Sequence, residues 1–317
     1  MKRIFVSILF VFIAFAVNAQ TIVDEHPAVA LGAEFPAGNY SGITRIGENR
    51  YAVVDDKASK DGFYVWQIDI DSLTGRILRV QNLGFRHQDL PNRDAEGCAF
   101  LPERQTVVIS GEADNGLVEY TLEGNVRSRL TTNLLPGSGA NAGLEALTYD
   151  ALHQRLWTME EGGGKQQVRV IGLNTDGQQE VSGHYLMDAP TTSKKSGQHV
   201  YGVSAICALS DEAGTLLVLE REAYIPKNKV GAWCKVKIYA VPSAALSVAS
   251  CDKDEARLLW KTTTRMNLLQ QNFANYEGMC LGPRLADGRQ TLLLVSDSQN
   301  RYAGFLKDYL KVLILNE

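Results

Sequence analysis

One short phrase recurs down this 317-residue chain and limits what it can fold into. Each copy opens beside a glycine or small residue, runs through an apolar segment, turns, runs through a second apolar segment and ends on an acid. The clearest copies lead from Glu96-Gly97-Cys98-Ala99-Phe100 to Val107-Val108-Ile109-Ser110-Gly111-Glu112, and from Glu277-Gly278-Met279-Cys280-Leu281 to Leu292-Leu293-Leu294-Val295-Ser296-Asp297. Looser copies run from Leu144-Glu145-Ala146-Leu147 to Glu160, from Gly202-Val203-Ser204-Ala205-Ile206 to Glu220, and from Ser41-Gly42-Ile43-Thr44 to Asp55. The starts at 42, 97, 145, 202 and 278 are spaced by 55, 48, 57 and 76 residues. Between copies lie further strand-like stretches closed by turn signals, such as 62–69 before Leu73-Thr74-Gly75 and 116–121 before Leu122-Glu123-Gly124. Four strands per unit at this period is the pattern of an all-β fold, the β-propeller.

The expected propeller has six four-stranded blades, with five or seven as the alternatives, in a single domain over 20–317. Setting aside the first 19 residues leaves about 50 per blade, within the range propellers use. The sixth blade is expected to join a C-terminal strand at 310–315 to the lead-in after the leader, closing the ring and removing exposed edges. The long fourth spacing holds insertions at 221–233 and 243–255, read as loops.

The first 19 residues read as a secretory leader. Lys2-Arg3 form a basic start, 4–17 an apolar run too short to span a bilayer, and Val17-Asn18-Ala19 a small-residue cleavage site. The mature chain is therefore expected to be secreted or periplasmic, with no membrane span and as a monomer. A net charge of −4 without a basic cluster argues against nucleic-acid partners. Of the five cysteines, Cys98, Cys207 and Cys280 occupy similar apolar strand positions, and Cys234 and Cys251 could bridge in an oxidising compartment.

An antiparallel hairpin returns its chain to the end where it began. The residue opening each first strand and the acid closing each second strand therefore converge on one mouth of the central channel. Glu96, Glu145 and Glu277 open first strands and are the catalytic candidates. Asp55, Glu112, Glu160, Glu220 and Asp297 close second strands and are candidate ligands of a divalent cation, with Ca²⁺ favoured by hard carboxylate oxygens and the lack of a His or Cys cluster. Without a metal, two carboxyls of unequal pKa could act as acid and base. Set against both, first-strand glutamates could cap backbone N–H groups, and second-strand acids could be ion-paired or solvated. Arg221, beside Glu220, is the leading clamp for a small anionic substrate, followed by Arg93 and Arg301. Gly162-Gly163-Gly164-Lys165 lacks the full phosphate-loop spacing and reads as a hairpin loop. No G-x-S-x-G elbow is present, and of the five histidines only His199 falls near a repeat start.

The phrases Asp94-Ala95-Glu96-Gly97, Gly143-Leu144-Glu145-Ala146-Leu147, Leu217-Val218-Leu219-Glu220-Arg221 and Tyr276-Glu277-Gly278-Met279 resemble the phytase-like family, also described as having the esterase-like activity of phytase. The resemblance spans about residues 40–297. It implies a secreted propeller with hydrolase activity on phosphate or other ester substrates. The D-A-D-D-P-A run of the calcium-dependent propeller phytases is absent, and Asp55-Asp56 is its nearest echo. A non-catalytic binding propeller and a lactonase-type, metal-dependent hydrolase are the other functions such a mouth can serve. The leader makes a direct prediction: mass spectrometry of the exported protein should find a mature chain starting at Gln20, and a product retaining residues 1–19 would overturn that reading.

Overall fold

The computed structural model describes residues 20–136, 143–191, 197–227, 230–246, 253–267 and 270–316. Residues 1–19, read above as a leader, and Cys251, the expected partner of Cys234, lie outside them. Two short strands, β1 (Thr21–Glu25) and β2 (Val29–Ala30), precede the first blade, which comprises β3 (Tyr40–Arg45), β4 (Arg50–Asp55), β5 (Lys60–Ile70) and β6 (Ile77–Pro91). The second blade is β7 (Ala95–Leu101), β8 (Thr106–Gly111), β9 (Gly116–Thr121) and β10 (Val126–Thr131). The third is β11 (Leu144–Asp150), β12 (Arg155–Glu160), β13 (Gln167–Asn174) and β14 (Gln179–Leu186). The fourth is β15 (Gln198–Ala208), β16 (Thr215–Ile225), β17 (Ala232–Pro242) and β18 (Arg257–Met266). The fifth joins β19 (Asn275–Arg284), β20 (Gln290–Asp297) and β21 (Tyr309–Asn316) to β1, with β2 also paired to β21.

The protein is thus an all-β propeller of five four-stranded blades, not six. The strand expected to found a sixth blade, β21, is the third strand of the fifth. β1 pairs antiparallel with it from Thr21↔Asn316 to Glu25↔Leu313, so the two chain ends close one blade between them. The arithmetic misled because some blades have unusually long strands. β5 and β6 run 11 and 15 residues, and β15, β16 and β17 run 11 each. Likewise 221–233 is mostly a lengthened hairpin, since Arg221↔Val236 and Tyr224↔Trp233 stay in register. Of the stretch 243–255, the described residues lie outside the sheet, Ser243–Leu246 in the four-residue helix α1 and Lys253–Glu255 in a single 3-10 turn. Among the described residues no helix is long and apolar enough to cross a membrane.

Burial follows strand position. β8 and β20 are buried along their whole length, as their continuous apolar runs require when both faces meet neighbouring blades. β10, an outer strand, alternates exposed and half-buried residues. Five apolar clusters fill the five gaps between blades. Trp66, Tyr40 and Tyr51 of the first blade, for example, meet Leu293, Val312 and Ile314 of the fifth. Cys98, Cys207, Cys234 and Cys280 are buried free thiols within this packing.

At the axis the inner strands β3, β7, β11, β15 and β19 pack against one another around the ring. Their approach is too close for a side chain at certain points. A Cβ on Gly42 would fall 2.5 Å from the Glu96 carbonyl oxygen, and one on Gly97 would fall 2.5 Å from the Leu147 backbone nitrogen. Backbone atoms cannot move aside as a flexible side chain can. Gly97→Ala should therefore destabilise the fold by about 1–3 kcal/mol, as overpacking does elsewhere. A lower denaturation midpoint at unchanged m is the expected result, and a wild-type midpoint would show that the inner strands can separate.

Candidate functional site at the channel mouth

Every inner strand slips register with its partner at one equivalent point. The slip falls at Ser41 in β3, at Glu96 and Gly97 in β7, at Glu145 in β11, at Ser204 in β15 and at Glu277 in β19. A bulge of this kind re-aims the extra side chain out of the sheet alternation. Residues of all five inner strands, among them Ser41, Cys98, Glu145, Ser204 and Glu277, line one narrow axial space. The three catalytic candidates are therefore equivalent residues of three blades, gathered around one axis. Ser204 donates its hydroxyl to the Tyr276 carbonyl at 3.0 Å, which ties the fourth blade to the fifth.

Arg221, from β16, reaches into this ring. Its Nη1 donates to Glu277 Oε1 at 2.5 Å and to Asn275 Oδ1 at 3.3 Å, while Nη2 donates to Glu161 Oε1 at 2.7 Å and lies 3.5 Å from Glu145 Oε1. Asn275 in turn donates to Glu277 Oε1 at 2.7 Å. Glu145, Glu161 and Glu277 are all buried, and the Arg221 side chain is only 11% exposed. Burial pushes Glu145 well above the ordinary carboxyl range, with the charge on Glu161 adding to it and Arg221 opposing it. Burial likewise raises Glu277, to about 8, against the pull of Arg221. One guanidinium cannot neutralise three buried carboxylates, so the cluster retains protons that exposed glutamates would have lost.

The second-strand acids are held within their own rims. Asp55 Oδ1 accepts from the backbone of Asn39 and Lys57 at 3.2 and 3.1 Å. Glu112 Oε1 accepts from Gly143 N at 3.1 Å, at the entrance to the next blade. Glu160 Oε2 accepts from Arg169 N and Nε at 3.1 and 3.2 Å. Glu220 accepts from Tyr185 Oη at 2.6 Å and from Lys253, and Asp297 from the backbone and side chain of Gln299. Arg93 is paired to Asp61 and Asp114 at 2.6 and 2.9 Å, and Arg301 to Asp308 at 2.9 Å. Of the three arginines, only Arg221 meets the ring glutamates. His199 lies 3.0 Å from Glu222.

Two groups at the mouth were not singled out by sequence. Glu161, one residue past the end of β12, reaches Arg221 although Glu160 turns to Arg169. The doubled acid Glu160-Glu161 is visible in the sequence, but beyond the end of β12 nothing local tells which of the two reaches the ring. Asp56 and Asp94 join Glu96 on the other side of the mouth, with carboxylate oxygens of all three within 4.8 Å of one another. Lys57 bridges Asp56 and Asp94 at 2.8 and 2.6 Å. Burial pushes Asp56 up to about 6 and raises Glu96 well above its ordinary range, with the Glu145 charge adding to the latter.

The phytase-like family, described by the esterase-like activity of phytase, matches residues 36–299, and the chain belongs to it. No curated protein matches the chain. Among solved structures, a luciferin-regenerating enzyme is similar at 12% identity, covering 90% of this chain and 95% of its own, with a TM-score of 0.47. The PQQ-bound aldose sugar dehydrogenase of Streptomyces coelicolor is similar at 12% identity over 94% of this chain and 98% of its own, with a TM-score of 0.47. A Bacteroides thetaiotaomicron protein of unknown function is similar at 12% identity over 94% and 76%, with a TM-score of 0.44.

The Arg221 cluster makes stability depend on pH. Between about pH 4.5 and 8 the folded chain holds a proton on Glu277 that the unfolded chain has released. Stability should therefore fall as pH rises through that window. Removing the guanidinium in Arg221→Met should cost about 3–5 kcal/mol at pH 8, where carboxylates are left uncompensated. The loss should shrink at pH 5, where protonated glutamates need no counter-charge. Denaturant melts across pH 5–8 test this, and a pH-independent loss would contradict it.

Proposed function

We propose that the protein is an exported hydrolase of a small anionic ester, a phosphate or a carboxylic ester, acting at the channel mouth. The carrying observation is that Glu145, Glu161 and Glu277 share the single guanidinium of Arg221 in a buried setting. Such a cluster holds a protonated carboxyl beside an ionised one. The first can give a proton to a leaving oxygen, and the second can take one from an attacking water. Glu145 and Glu277, on the ring itself, are assigned these roles. Arg221 anchors the anionic group, which would displace one carboxylate from the guanidinium as that carboxylate takes up a proton.

A small recess beside Arg221, lined by Lys235 and Lys237 together with their acidic partners Glu222 and Asp188, gives an anionic group a polar approach to the guanidinium. Family membership supports ester hydrolysis as the reaction class. A divalent cation at the mouth, of which Ca²⁺ suits the oxygen donors, would offset substrate charge and acidify a bound water. A second reading, a non-catalytic binding propeller, is favoured by the engagement of both terminal nitrogens of Arg221 with carboxylates.

The test is a panel of aryl phosphates, short aryl esters and lactones. Turnover of at least one is expected, with kcat reduced by about 10²–10⁴ in Glu145→Gln and in Glu277→Gln. Arg221→Lys should mainly raise KM for anionic substrates, since an ammonium loses the bidentate fit. Binding of an anionic ester without turnover by the folded protein would replace the hydrolase with the binding propeller.

A further inference from the structure

The loop after β4 and the turn before β7 are locked together by one side chain. Asn92 donates through Nδ2 to the carbonyls of Asp55, Asp56 and Ala58 at 3.0, 2.9 and 2.9 Å, and its Oδ1 accepts from Ala95 N at 3.1 Å. This fixes Asp56 and Asp94 beside the bulge residue Glu96. Three carboxylates from three points in the chain thus face one another with oxygens no more than 4.8 Å apart.

Their compensation is incomplete. Lys57 pairs with Asp56 and Asp94, yet its side chain is 61% exposed. Glu96 is 7% exposed, and its carboxylate makes no hydrogen bond or ion pair among the described residues. Asp56 Oδ1 is also buried without a hydrogen-bond partner. A buried carboxylate with no partner is costly, and it is neutralised either by holding a proton or by a cation that displaces that proton. The Arg221 cluster, by contrast, carries its own counter-ion.

We propose that Asp56, Asp94 and Glu96 form a binding site for one divalent cation, Ca²⁺ in the first instance, between the first and second blades at the channel mouth. The donors are hard oxygens only, and oxygens bound to one Ca²⁺ at 2.3–2.6 Å lie at most about 5 Å apart, as these do. Once a cation has displaced the protons that burial favours, three carboxylates against one ammonium leave two negative charges, which a divalent cation balances. Lys57 is the competing charge: exposed and flexible, it can swing to solvent when the cation binds. The proposal deepens the hydrolase reading by naming where its cation sits, but binding is measured apart from turnover.

The test is calorimetric titration of the mature chain with CaCl₂, alongside thermal melts, since a ligand of the native state raises its melting temperature. One site with a dissociation constant below about 1 mM is expected. Glu96→Gln and Asp56→Asn should each weaken binding at least tenfold. Lys57→Met should tighten it several-fold, a gain that misfolding cannot produce. No binding by the wild type up to about 10 mM Ca²⁺, or wild-type affinity in both acid variants, would overturn the site. Calcium binding that is lost in Glu96→Gln supports it even if no ester is hydrolysed, and that result would count against the hydrolase reading alone.

Discussion

Five inner strands converge on one axis, in the first and second blades more closely than a Cβ allows, and the chemistry of this molecule follows from that convergence. At Gly42 and Gly97 the neighbouring backbone stands where a side chain would begin. The residue just before each, Ser41 or Glu96, is turned toward the channel by the register slip. The same slip places Glu145, Ser204 and Glu277 at the axis in the other three blades, ahead of Ala146, Ala205 and Gly278. The Glu-Gly pairs of the second and fifth blades are therefore a single structural device. Glycine admits the adjacent strand, and glutamate takes the axial position that this approach creates.

Placing carboxylates there creates an electrostatic problem that each side of the mouth meets differently. On the side of the third, fourth and fifth blades, Arg221 lies buried among Glu145, Glu161 and Glu277. A planar guanidinium can serve several carboxylates at once, and its charge is not lost at any accessible pH. The arrangement is no large source of stability, because desolvating four ionisable groups offsets most of the Coulombic gain. Its consequence is chemical: burial raises Glu145 and Glu277, so that both hold protons more tightly than exposed glutamates would. That is a setting for proton transfer, which three solvated glutamates would not provide.

Much of the fold was legible because repetition is robust to local error. The five starts at 42, 97, 145, 202 and 278 each fall within an inner strand, and the four-strand unit holds in every blade. The blade count was not legible. Closure of the ring by pairing the C-terminal strand with the lead-in was legible, but β1 and β21 complete the fifth blade rather than a sixth, and long hairpins such as β5–β6 mimic extra repeats by length. At the site, the first-strand glutamates and Arg221 were readable from their places in the repeat. Asp56, Asp94 and Glu161 were not, since each lies beyond a strand end, where alternation no longer tells which way a side chain faces. The pairing of Arg93 with Asp61, 32 residues away, was equally hidden. An arginine's partner is set by how blades stack, which local spacing does not encode.

The two sides of the mouth differ most in the fate of their counter-ions. Arg221 is 11% exposed and bound on both terminal nitrogens, so its charge belongs permanently to the ring. Lys57 is 61% exposed and rests on Asp56 and Asp94 from outside, leaving Glu96 unanswered. An ammonium held that loosely is screened by solvent and contributes little to folding. Such a site can exchange one positive charge for another at small cost, whereas the Arg221 side cannot. With a cation on the Asp56–Asp94–Glu96 side, the mouth would present two positive centres flanking the axial glutamates. That arrangement suits an anion whose charged oxygens and scissile bond must be held at the same time, which ties the proposed cation site and the proposed acid–base pair to one substrate.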